Sequence, residues 1–234
     1  MNYDSPWFMV SFVGIAVVVK LLAVTCLPRR SPLGANIREI ADSLIVALLL
    51  VFGIVRPFVA EARVIPSSSM RPTLDGDERY PFYRNDRVMV NKLVYRWSHP
   101  KRGEIVVFNP PQGVSDKKDP MVKRVIGIAD DRLAIRDHQL YRNGQPVDEP
   151  YILQPMSDAY WPPDGSEKVV PSGHLFVMGD NRNNSYDARK WTIPPNDLAP
   201  DAHHVYFLPE ANVLGRAEFI FWPPNHVRLL RPAR

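Results

Sequence analysis

The sequence predicts a mainly β protein, in which antiparallel strands with a smaller appended lobe follow two membrane-spanning helices. Three observations lead there. Beyond about residue 62 the apolar residues fall in short runs broken by glycine, proline and asparagine, with no helical period. The 234 residues include 24 prolines, which long soluble helices do not accommodate. Ahead of the strands stand two apolar stretches, Ser5 to Pro28 and about Ile40 to Ala60.

The first stretch carries a single charge, Lys20, between Phe8-Met9-Val10 and Leu21-Leu22-Ala23-Val24. Roughly 20 apolar residues span a bilayer, and a lysine can snorkel toward the nearer interface. A cleavable leader has a basic amino end. Here only Asp4 precedes the apolar run, so the stretch reads as an anchor. The second stretch has its core at Ser43 to Phe52, and its charge-free run lies between Asp42 and Arg56. That run is short for a span, so a buried or interfacial helix is the alternative. As a span it sends Asp42 and Arg56 to opposite interfaces. Arg29, Arg30 and Arg38 lie between the two stretches, and the positive-inside rule puts this loop, residues 28–39, in the cytoplasm. Residues 1–62 then form a two-helix anchor, and residues 63–234 lie on the outer face.

The outer region opens on Ile65-Pro66-Ser67-Ser68-Ser69-Met70-Arg71-Pro72-Thr73-Leu74. The prolines restrict φ and push the residues before them away from helix. Such a stiff segment suits a hydroxyl that must be held still. It equally suits a Ser/Pro loop leading out of a membrane. Strand-like runs follow at Arg87–Tyr95, Glu104–Phe108, Met121–Ile128 and Leu133–Arg136. Gln139 to Val147 places Asn143-Gly144 between two strand-like arms, a hairpin signal. Leu175–Met178 and Glu218–Phe221 complete the set. Asp148 to Gly173 is proline-rich and loop-like and reads as part of the smaller lobe. Pro194 to His204 is a second long loop.

The formal charge of +4 is a mild excess with no dense basic tract, which excludes an evident nucleic-acid surface. Cys26 is the single cysteine, so no internal disulfide can form. The six histidines show no metal-ligand spacing, and His203-His204 reads as surface loop. No cofactor or metal is expected.

A hydrolase needs a nucleophile, a base and oxyanion donors. Ser69 is the candidate nucleophile, but a serine hydroxyl is inert until a base takes its proton. No histidine sits in a motif-like setting. A lysine can serve if burial neutralises it. Lys123 lies inside the apolar run Met121 to Ile128, on the strand face of Met121 and Val125. Lowering a lysine pKa from ~10.4 to ~8 costs roughly 3 kcal/mol, which an apolar pocket can impose. The alternative is a solvated lysine at a strand edge. The third cluster, Met178 to Arg189, is dense in Gly, Asn, Asp and Ser. It is either a long polar turn or a site in which Ser185 orients the lysine. In the second case Arg124, Asp180, Asp187 and Arg189 supply ion pairs that hold the segments together. Ser98-His99-Pro100-Lys101 and Ser115-Asp116-Lys117-Lys118 match the S-x-x-K spacing of penicillin-binding proteins. That motif needs a helix, which the nearby prolines oppose, and its companion motifs are missing.

Taken together, these segments resemble the type I signal peptidases, the membrane-bound leader peptidases of the Ser/Lys dyad family. In order they are two anchors, PSSSMRPTL, NDRVMVNK, KRVIGIADD, GDNRNNSYDAR and FLPEANVLGRA. Each is weak alone, and their order is specific. The resemblance implies an antiparallel β catalytic domain, residues 63–234, with an inserted β lobe at about 130–174. It implies a multi-pass protein of the cell inner (cytoplasmic) membrane, or of a thylakoid membrane, with its catalytic domain on the outer face. The implied activity is that of a serine endopeptidase removing signal peptides from exported preproteins, cutting after small residues. Its implied partners are preprotein signal peptides, membrane lipid and the export translocon.

Position by position, the resemblance makes Ser69 the nucleophile and Lys123 the general base. Ser67 joins the Ser69 backbone N–H in the oxyanion hole, and Ser185 orients Lys123. Ile65, Pro66, Met70, Leu74, Met121 and Val122 match positions lining the pockets for the residues one and three before the cut. The sequence departs from the family's usual pattern at several points. Asn183 stands for aspartate, Ala188 for serine, Ala129-Asp130-Asp131 for Pro-Gly-Asp, and Arg63 for an apolar residue. There is extra sequence between Trp191 and Phe207. Two other readings compete: a self-cleaving repressor-type Ser/Lys peptidase, which the apolar first quarter opposes, and a non-catalytic membrane-anchored scaffold, which the presence of both Ser69 and Lys123 opposes.

Overall fold

The computed structural model describes residues 14–15, 17–18, 20–22, 24–25, 32–51, 55, 59–77, 79, 84–115, 119–193 and 203–233. The chain divides into two compact units, Met1–Glu61 and Ala62–Arg234.

In the first unit, helix α1 runs from Pro32 to Leu50. Proline suits a first helical turn because its missing N–H would lack a partner there anyway. The helix takes in residues 32–39, which the sequence predicts as loop. From Ile40 onward its apolar side chains are open on several sides, with Leu44, Val46 and Leu49 all about half exposed. The Lys20 amine pairs with the Asp42 carboxylate. Among the described residues no helix is long and apolar enough to cross a membrane. Most of the first predicted span, and residues 52–54 and 56–58 of the second, lie outside the described residues.

The second unit is mainly β and antiparallel. The strands are β1 (Ala60–Val64, which begins two residues before the unit boundary), β2 (Arg87–Asn91), β3 (Ile105–Phe108), β4 (Met121–Gly127), β5 (Arg132–Arg136), β6 (Gln139–Arg142), β7 (Gln145–Pro146) and β8 (Tyr160–Trp161). There follow β9 (Lys168–Val169), β10 (His174–Met178), β11 (Thr192–Ile193), β12 (His203–His204), β13 (Leu208–Pro209), β14 (Val213–Trp222) and β15 (Arg228–Leu229). The larger sheet has the order β1-β2-β14-β3-β4-β10-β13, with β15 paired to β14.

Strand β3 shows why the sheet sits where it does. All four of its side chains are buried. Val106 and Phe108 enter one apolar cluster, with Val125, Phe176 and Trp191. Ile105 and Val107 enter another, with Ile65, Met70, Leu74, Val88 and Ile220. An unbroken apolar run is what a strand covered on both faces requires. Each such side chain contributes about 1.5–3 kcal/mol of burial.

A second sheet, β7-β6-β5-β8 with β9 paired to β5, is inserted between β4 and β10. Its β6–β7 hairpin turns on Asn143 and Gly144, at φ 54° and 77°. A two-residue turn that matches strand twist needs positive φ at both positions, and Asn-Gly provides it. Asp130 enters the lobe at φ 70°, a left-handed position that aspartate tolerates better than most residues. The loop after Trp191 is closed at its base by the β11–β12 ribbon, and residues 194–202 between them lie outside the described residues.

One predicted strand is too long. The run Arg87–Tyr95 ends as strand at Asn91, because the Asn91 side-chain oxygen accepts the N–H groups of Leu93 (3.0 Å) and Val94 (3.2 Å). The chain then turns into a short 3₁₀ helix, Val94–Arg96.

Candidate active site

The serine segment is a tight turn pinned by its apolar neighbours. Ser68–Met70 forms one turn of 3₁₀ helix, and the Leu74 N–H donates to the Met70 carbonyl at 2.9 Å. Met70 and Leu74 are fully buried, which fixes the turn from beneath. From the other side the Asn181 N–H donates to the Ser69 carbonyl (3.1 Å), and the Asn181 side chain donates to the Ser68 carbonyl (3.1 Å). Asn184 donates to the Ser68 hydroxyl at 2.8 Å. A cleft of about 430 Å³ opens here, with Ser67, Ser68 and Ser69 in its wall.

Strand β4 brings Lys123 to this turn. Its amine nitrogen lies 2.8 Å from Ser69 Oγ. The lysine is only 5% exposed. Burial pushes its pKa down to about 8, against the charges of Asp187 and Asp180, and Arg189 adds to the lowering. Ser67 Oγ lies 3.2 Å from Ser69 Oγ. Strand β10 pairs with β4 only from Arg124 onward, while β3 pairs with β4 from Met121. Among the described residues, Met121, Val122 and Lys123 therefore have sheet partners on one side alone.

The third cluster is a buried lattice of charge. Arg124 grips both oxygens of Asp180, at 2.8 and 2.6 Å, and donates to the Gly103 carbonyl at 2.8 Å. Thr73 donates to Asp180 as well, which ties the end of the serine segment to β4. Arg189 grips both oxygens of Asp187, each at 2.9 Å. Burial works against the Asp187 charge. Arg189, the Gly179 N–H and Lys123 together hold its carboxyl below the ordinary carboxylate range. Breaking such a buried pair by removing one partner typically costs about 3–5 kcal/mol.

Ser185 is placed differently from its expected contact. Its hydroxyl is buried and makes no hydrogen bond, so the expected bond to Lys123 is not formed here. Among the expected pocket residues, Ile65, Met70 and Leu74 are packed into the core, at 2%, 1% and 0% exposure. Pro66 is exposed, and Met121 and Val122 are partly so.

Several contributors were not anticipated from the sequence. Arg182, fully buried, forms a two-point pair with Glu149 of the insert, both contacts at 2.6 Å. Tyr151 lies under the Arg124 guanidinium, 4.2 Å from it, and burial pushes its hydroxyl pKa up. Gly179 stands where a Cβ would come within 2.4 Å of both the Ser69 carbonyl and the Ser185 hydroxyl. Its place in the run Met-Gly-Asp-Asn was the one sequence hint of that crowding. Of the two S-x-x-K decoys, Ser98 donates to the Val94 carbonyl at 2.7 Å, and Lys117 and Lys118 lie outside the described residues.

A serine hydroxyl touching a buried, easily neutralised amine, at the edge of an antiparallel sheet, is the equipment of a serine-type hydrolase. Comparison with known proteins narrows the class. Residues 37–222 match the signal peptidase family, peptidase S26. A probable signal peptidase I-2 of Synechocystis is 41% identical over 194 residues, covering 82% of this chain and 76% of the relative. A signal peptidase I of Leptolyngbya laminosa is 39% identical over 206 residues, covering 86% of both chains. A solved signal peptidase I from Enterococcus faecalis is 26% identical and covers 51% of this chain and 97% of its own, with a TM-score of 0.35. The chain belongs to the S26 signal peptidase family. Its reaction is peptide-bond hydrolysis that removes signal peptides.

Proposed function

We propose that Ser69 and Lys123 are the nucleophile and general base of this signal peptidase, and that it works as a membrane-anchored endopeptidase cutting after small residues. The observation that carries the reading is the 2.8 Å contact between the buried Lys123 amine and the Ser69 hydroxyl in the wall of an open cleft.

The preprotein lies extended between Ile65-Pro66 and the unpaired edge of β4 at Met121-Val122. Main-chain pairing supplies binding, and alternate side chains enter the pockets. Ile65, Met70 and Leu74 already fill the space beneath, which leaves shallow pockets suited to alanine. Neutral Lys123 takes the Ser69 proton as Oγ attacks the scissile carbonyl. The Ser67 hydroxyl turns from Ser69 Oγ to the oxyanion and acts with the Ser69 N–H, a donor typically worth 10²–10³ in rate. Lys123 then passes the proton to the leaving amine. With Ser69 acylated, the amine has lost its hydrogen bond to the Ser69 hydroxyl. The unpaired Ser185 hydroxyl takes over, and Lys123 activates the water that releases the acyl group.

The membrane reading rests on the two apolar stretches, the exposed apolar surface of α1 and the arginines between the stretches. It makes the protein multi-pass in the inner membrane, with residues 63–234 on the outer face, in contact with lipid and near the translocon.

The deciding experiment incubates detergent-solubilised wild type and Ser69→Ala with a preprotein and sequences the new amino terminus. Cleavage after a small residue by wild type alone is expected. Equal cleavage by Ser69→Ala removes Ser69 as nucleophile.

A further inference from the structure

Between β7 and β8 the insert crosses the third cluster and is fastened to it. Asn183 accepts the Ser157 N–H at 2.7 Å and donates to the Pro155 carbonyl at 3.0 Å. A carboxylate at position 183 could not make the second bond. His138 Nδ1 lies 2.9 Å from the Met156 carbonyl and secures the same segment from the lobe side. The next charged residue, Asp158, is thereby set against Arg189, with its carboxylate 2.5 Å from Nη1. Arg189 is thus shared. It holds Asp187 and Asp158 together and donates to the Arg182 carbonyl at 2.7 Å.

The charges that act on Lys123 are Asp187, Asp180 and Arg189. Arg124, its chain neighbour, is matched by its two-point pair with Asp180. Asp158, Arg189 and Asp187 are therefore linked as alternating charges, and the last two act through space on Lys123. Three of the four are buried, and Asp158 reaches solvent with 31% of its side chain. Inside a protein such charges are coupled more strongly than in water.

We propose that Asp158, a residue of the insert, is a positioning residue for catalysis, because by sharing Arg189 it sets how firmly Asp187 holds a proton on Lys123. With Asp158 neutral, Arg189 belongs to Asp187 alone. The field favouring the ammonium weakens, and the amine gives up its proton at lower pH. The inference rests on Lys123 as the base.

The test is the pH dependence of cleavage by the full-length, detergent-solubilised enzyme as wild type, Asp158→Asn, Asp158→Glu and Lys123→Ala. Asp158→Asn is expected to move the acid limb down by on the order of half a pH unit, about threefold in relative rate on that limb. Asp158→Glu restores the wild-type profile. Raising salt screens the exposed Asp158 and moves the wild-type limb the same way, which requires no variant. A lowered plateau with an unmoved limb in Asp158→Asn, or a limb that moves up, overturns the inference and leaves the base assignment standing. Cleavage retained by Lys123→Ala overturns the base assignment, and the inference with it.

Discussion

The Lys123 amine and the Ser69 hydroxyl stand 2.8 Å apart, and the burial that brings the amine there also makes its positive charge costly. Position and basicity thus have one cause. A lysine in water would be almost wholly protonated at neutral pH and useless as a base.

The first consequence is a pH profile. The base works only when neutral, so activity is low below the amine's pKa of about 8 and climbs as the pH passes through it. Initial rates of preprotein cleavage from pH 6 to pH 10 should show this rise. A rate that stays level across that range speaks against an amine as base.

The second consequence concerns stability. The amine's pKa falls from 10.5 unfolded to about 8 folded, so the fold opposes the charged form. At pH 7 both states carry the proton and the penalty is fully present. Between pH 8 and 10.5 the unfolded state binds more protons, and stability rises with pH across that window. The penalty at pH 7 is about 3 kcal/mol. Lys123→Met, inactive, should therefore unfold later than wild type in denaturant at pH 7, and the advantage should shrink by pH 10. An unfolding midpoint below that of wild type at pH 7 would contradict this.

Ser185→Ala separates catalysis from folding. The hydroxyl has no hydrogen bond to lose, so melting temperature should hold or rise slightly. The turnover rate should fall at least about tenfold, since deacylation would lack the partner that holds Lys123. A variant with unchanged turnover would release Ser185 from any part in the reaction.

Gly179→Ala tests how closely the third cluster grips the serine turn. The added methyl would sit 2.4 Å from the Ser69 carbonyl, which is backbone and cannot turn aside. Overpacking of this kind costs about 1–3 kcal/mol. Displacing the nucleophile by an ångström costs up to about 10² in rate. Both losses are expected in melting and turnover measurements, and a variant with wild-type rate would show that the contact is slack.

Local rules made much of the β fold legible. The apolar run that became β3 and the Asn143-Gly144 hairpin were both readable, because each depends on neighbours in sequence. Strand alternation already set Lys123 on an apolar face. The stop at Asn91 was missed because a side chain overrode a strand-like pattern. The start of α1 at Pro32 was missed because arginines at 29, 30 and 38 signal a loop's charge without preventing a helix. In the site, Ser69, Lys123 and the run ending at Arg189 each had a local signature. The pairs Arg182–Glu149 and Arg189–Asp158 had none, since they join the motif to residues of the insert that lie together only once the chain has folded. The silent Ser185 hydroxyl was equally beyond reach, because a motif names a residue and leaves its rotamer open.

The most direct measurement is the titration of one amine. Selective ¹⁵N labelling of lysine, with Lys123→Arg to identify the signal, would follow Lys123 by NMR as pH is raised. The account predicts a midpoint near 8. A midpoint at the ordinary value of 10.5 would mean that the amine is protonated where the enzyme must work, and Lys123 would not be the base.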